Sequence, residues 1–135
     1  MAEQSLILIP ALFMGGVLGL IELFFVHADE RGMGWLGHGL HALPATMIFV
    51  FISMNVGYAL TFVGQAVTVT PLVELGVRAF IAIVAMLKIS AAAAIVGRVG
   101  EKFPHTLAMG ALVFAVPYIW QFTGPSLVKL MPFLG

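Results

Sequence analysis

Formal charge is nearly absent from three long stretches of this chain, and that constrains the fold more tightly than any motif does. Glu22 carries the single formal charge between Glu3 and Asp29, the 42 residues from Gly32 to Val73 carry none, and neither do the 26 residues from Phe103 to Val128. A helix that crosses about 30 Å of hydrocarbon needs about 20 mostly apolar residues. In a soluble domain about a quarter of the residues are charged, whereas here only 9% of 135 are. An ordinary soluble domain is therefore excluded. The runs are continuous, without the ten-residue alternation of an outer-membrane barrel strand. The sequence predicts an all-α, polytopic integral membrane protein in one domain, residues 1–135, built as a four-transmembrane-helix bundle. The spans fall at about 5–27, 42–63, 72–97 and 105–122, with a short His- and Gly-containing connection between helices 1 and 2 and a short apolar tail over 123–135. Pro44 suits the first turn of the second span, where a missing N–H costs nothing, and Pro125 and Pro132 break the tail.

The same counts remove whole classes of function. Six basic residues balance six acidic ones, with no basic run, so the electrostatic footprint of nucleic-acid binding is missing. Without cysteine there is no disulfide, thiolate metal site or cysteine nucleophile. Ser53, Ser90, Thr46 and Thr61 lie within the spans and show no Ser, His and acid spacing, and no GxxxxGK[ST] loop is present. Enzymatic activity has no support in the sequence. The first span lacks the positive n-region of a removable signal and is too long for one, so it reads as a retained helix. The bilayer, with the cell membrane as the expected location, is the first partner.

Ionisable residues at membrane depth cost roughly 2.5 to 3.5 kcal/mol on insertion scales and demand a partner or a water-filled cavity. Glu22 and Lys88 are of this kind. Gly15, Gly19 and Glu22 fall on nearly one helical stripe, and Gly15 with Gly19 makes the GxxxG spacing of a close helix crossing. Lys88 lies among Ala85, Ala91 and Ala92, on a second small-residue face. The first and third spans run in the same direction, so Glu22 and Lys88 can pair, with Asn55 of the second span as a third polar group. Such a group serves either as a structural ion pair that fixes helix register or as an ion or proton pathway; a Lys88 that snorkels to the headgroups is the third possibility. Glu74 and Arg78, four apart in the favourable order, read as an interfacial ion pair.

The densest chemistry lies in the first connection, with His27, Asp29, Glu30, His38 and His41. Its imidazoles and carboxylates could hold a divalent metal, with His38 and His41 three apart on one face. The same histidines serve equally as polar caps or as pH-sensitive hydrogen-bond partners. Four glycines between Gly32 and Gly39 leave an interfacial helix and a re-entrant turn both open. His105, at the start of the fourth span, faces the same side of the membrane.

Three functions follow from these residues. The first is an accessory or structural subunit of a membrane complex, suggested by short connections and small-residue packing faces. The second is a homo-oligomeric channel, or an ion- or proton-coupled small transporter, using Glu22, Asn55 and Lys88. The third is a metal-binding membrane protein using His27, Asp29, His38 and His41.

Overall fold

The computed structural model describes residues 5–29, 34–63, 68, 70–95 and 102–135, without the side chains of 38 and 92–95. Among these residues every regular element is helical. In chain order they are α1 (Ile9–Asp29), α2 (Trp35–Met54), α3 (Val56–Thr61), α4 (Pro71–Ile95) and α5 (Phe103–Leu130), followed by a 3-10 turn at Pro132–Leu134. Helices α1, α2 and α5 are each long and apolar enough to cross a membrane. Helix α4 has 25 residues, about 37 Å of helix, and carries Glu74, Arg78 and Lys88.

The bundle consists of two hairpins. Helices α1 and α2 pack along their lengths, as do α4 and α5. Helices α2 and α5 meet in the middle, and α1 and α4 stand at opposite corners. The α1–α2 seam is close because of glycine. A Cβ on Gly15 would stand 3.1 Å from the Met47 Cα, and one on Gly19 would stand 2.8 Å from Leu43 Cδ2, so α2 rests directly on the α1 backbone. In the other hairpin, Gly110 of α5 leaves the room that the Met86 side chain of α4 fills. Between the hairpins lies a core of Ala11, Met14, Leu18, Val50, Met54, Ala85, Met109, Val113 and Val116, all nearly inaccessible. The large apolar side chains on the outside, among them Leu36, Leu72, Phe80, Leu87 and Phe122, are exposed. An apolar exterior is what a lipid solvent permits and water penalises.

Three extents differ from the sequence expectation. Helix α2 begins at Trp35 instead of about residue 42, which puts Gly37 and Gly39 in its first two turns. The Trp35 ring stacks on His27 with centroids 3.7 Å apart and meets Phe24 edge-on at 5.6 Å. Those aromatic contacts oppose the low helix propensity of Gly37 and Gly39. The second span is interrupted at Asn55, which separates α2 from α3. Helix α5 runs on through Pro125 to Leu130, well past 122, and the tail closes with Leu134 wholly buried. Glu30 and Arg31, and Arg98 and Glu101 of the connection before α5, lie outside the described residues.

Candidate functional site

Polar side chains gather at both ends of the bundle. At the end where α1 begins, Asn55 (4% exposed) acts as an amide clamp. Its Oδ1 accepts the Ile7 N–H at 2.7 Å, and its Nδ2 donates to Ile7 O at 3.0 Å and to Phe51 O at 2.9 Å. This uses both amide hydrogens and ties the lead-in of α1 to the break between α2 and α3. Arg78 of α4 donates from Nη2 to Glu74 Oε2 at 2.9 Å and from Nε to Ser53 O at 3.3 Å, and its guanidinium stands 5.7 Å from the centroid of the Tyr118 ring. Ser53 completes the network for a reason that proline supplies. Pro117 has no N–H, so the Val113 carbonyl one turn earlier lacks its helical donor, and the Ser53 hydroxyl donates to it at 2.7 Å. Beside these groups lies a cavity of about 220 Å³, lined in part by Tyr58, Glu74, Arg78, Trp120 and Gln121.

The opposite end, where α1 stops and α5 starts, is built around Asp29. Helix α5 has Lys102 at its N-cap position without a side-chain cap of its own, and Asp29 reaches over from α1 to supply one. Its Oδ2 accepts the Lys102 backbone N–H at 2.8 Å and lies 2.6 Å from His105 Nδ1. Its Oδ1 lies 3.1 Å from the Lys102 ammonium. A carboxylate at a helix N-terminus is favoured by the dipole and by the orphan N–H groups there. The His105 ring is held on its other side by Phe25, stacked at 4.4 Å and nearly parallel.

Glu22, Phe25 and Asp29 follow one another at intervals of three and four along α1, which puts them on one stripe. Glu22 lies two turns below Asp29, roughly 10 Å further into the bundle. It is 2% exposed, and its Oε2 has no hydrogen-bond partner. Thr106, beside His105 in the first turn of α5, is 1% exposed, and its hydroxyl is also without a partner.

The sequence-selected residues are therefore distributed as follows. Glu22 is interior and Lys88 exposed, and no ion pair within 4 Å joins them among the described residues. Asn55 belongs to the far end, fifteen residues of α1 away from Glu22. Glu74 and Arg78 lie together on α4, and Gly15 and Gly19 lie in the α1–α2 seam. His27 stacks on Trp35, Asp29 is committed to Lys102 and His105, and His41 is exposed. The His38 side chain lies outside the described residues. Among the described residues no group of three or more His, Asp or Glu is placed to hold a metal ion. Sequence reasoning passed over Lys102 and Thr106 and offered Asp29 as one candidate metal donor beside a structural role for the connection. The available clue was that His105 opens a helix on the same side as Asp29.

No family model, curated protein or solved structure matches the chain. The functional reading rests on this geometry alone.

Proposed function

We propose that the chain is a multi-pass membrane protein whose four long helices all cross the bilayer, and that it serves as an accessory or structural subunit of a larger membrane assembly, with the cell membrane as its location. In this reading α4 is the third of the four spans, and Trp35, at the start of α2, acts as an interfacial anchor. The observation that carries the subunit role is Lys88. It is exposed on α4, seven residues before the Ile95 end and so roughly 10 Å along the helix from it. Its exposed neighbours are Phe80, Ile83 and Leu87. An ammonium turned outward from a bundle at that depth is costly against lipid, and a neighbouring protein surface with a carboxylate or carbonyl oxygens removes the cost. Helix α4 also stands at a corner of the bundle, packed by α5 on one side and by α2 and α3 on another, which leaves this face open.

The same face supports a second reading, in which copies of this chain close over one another's Lys88 and form a homo-oligomeric channel or transporter. Native mass spectrometry of protein extracted gently from its own membrane, combined with photo-crosslinking from positions 83 and 87, separates the two. The subunit reading expects a heteromeric mass and crosslinks to a different chain. A homo-oligomer with crosslinks between copies replaces it with the second reading, and a monomer that crosslinks only to lipid removes both.

A further inference from the structure

Glu22 is a carboxyl group whose hydrogen-bonding capacity the fold does not use up. Burial of a polar atom without a partner costs free energy that a stabilising role would have to recover, and Oε2 has no partner. A group whose only task was to fix helix register would be expected to look like Asn55, with every donor and acceptor engaged. The titratable groups around Glu22 come from each neighbouring element. Lys88 lies on α4 and His105 on α5. Helix α2 contributes His41, which is exposed, and His38, whose side chain lies outside the described residues.

His105 sits against the α1 stripe that carries both acids. Its Nδ1 is 2.6 Å from Asp29. Its ring plane is fixed by the stack on Phe25, the α1 residue between the two acids. An imidazole can take up and release a proton at one nitrogen while the other keeps its hydrogen bond. Thr106, the adjacent residue, brings a buried hydroxyl with no partner, able both to accept and to donate. Lys102 lies at the open end, with a side chain 70% exposed beside Asp29.

We propose that Glu22 is a proton-binding site inside the bundle, loaded and emptied through His105 from the Asp29 end. On loading, His105 keeps its Nδ1–H donated to the Asp29 carboxylate, and a proton arriving from water at the Asp29–Lys102 end is taken up at Nε2 of the partly exposed ring. His105 releases the proton on Nε2 inward, with the Thr106 hydroxyl or one water as a bridge, and the Glu22 carboxylate becomes a neutral carboxyl. At each step one N–H or O–H bond breaks and one forms, so the net event is the movement of a single proton. Release reverses the sequence. His105 is the transferring group, and Asp29 and Phe25 position it.

The test uses the full chain reconstituted in lipid vesicles and followed by infrared difference spectroscopy after a rapid drop in pH. Wild type is expected to gain a protonated-carboxyl band that E22Q lacks. H105Q should keep the band but acquire it at least about tenfold more slowly, as expected when a general acid–base group is lost. D29N, which retains an acceptor for the Lys102 N–H, should also slow it and is the informative variant if H105Q does not fold. Absence of the Glu22 band from wild type at every pH overturns the proposal. So does a band that rises at the wild-type rate in folded H105Q or, failing that variant, in D29N.

Discussion

The two ends of the bundle spend their polar atoms differently. At the Asn55 end both amide hydrogens, the amide oxygen, the Ser53 hydroxyl and the Arg78 guanidinium all have assigned partners. Those partners are backbone carbonyls and N–H groups freed by a proline or a helix break, as well as one carboxylate. At the other end Asp29 Oδ2 is engaged by Lys102 and His105 while its Oδ1 has the Lys102 ion pair but no hydrogen bond, and Glu22 and Thr106 beneath them keep unpartnered oxygens. Polar groups inside the bundle are thus of two kinds here. One kind repairs the backbone, and the other retains capacity for a proton or a water molecule.

Substitutions can break or sharpen this contrast. Asn55→Ala should have the largest effect, because it strands both the N–H and the carbonyl of Ile7. A loss of about 2 to 3 kcal/mol is expected, measured by equilibrium unfolding in mixed micelles. Gly15→Leu should follow at about 1 to 3 kcal/mol, since the atom it meets is the Met47 Cα, which cannot move without moving α2. Ser53→Ala should cost about 1 kcal/mol. That cost should shrink towards zero in a Pro117→Ala background, where a restored N–H at 117 can serve Val113 from within its own helix. A double-mutant cycle reads this coupling directly, and additive costs would show that the proline is not what brings Ser53 to that carbonyl. Glu22→Gln should change stability least, by less than about 1 kcal/mol, because Oε2 has no hydrogen bond to lose. If it destabilises the bundle as much as Asn55→Ala does, the division between repaired and spare polar groups collapses.

Much of the architecture was legible because it follows from hydrophobic run length. The helical class, α1 and the interior position of Glu22 needed only the charge-free stretches and the Gly15, Gly19, Glu22 stripe. What escaped depended on tertiary partners. Gly37 and Gly39 argue for a loop by propensity, yet Trp35 packing on His27 and Phe24 carries α2 through them. Asn55 sits in an apolar run with no proline beside it, so nothing local announced that its side chain would replace the helix with a clamp on Ile7. Pro125 reads as a stop, and α5 passes it. Asp29 looked like a metal donor because its neighbours in sequence are histidines. The partners it uses, Lys102 and His105, are more than seventy residues away and become adjacent only when α5 docks on α1.

The arrangement as two hairpins also bears on how the protein is made. Helices α1 and α2 are synthesised first and share the glycine seam, so under the proposed membrane reading they can settle in the bilayer as a pair before α4 and α5 emerge. Until then Ser53 has no Val113 to bond, Asp29 has no helix to cap, and the acidic side chain of Glu22 waits on a face that α5 has yet to cover. Any insertion factor that shields the nascent hairpin must therefore tolerate a carboxyl group facing it, and must leave when the second hairpin arrives.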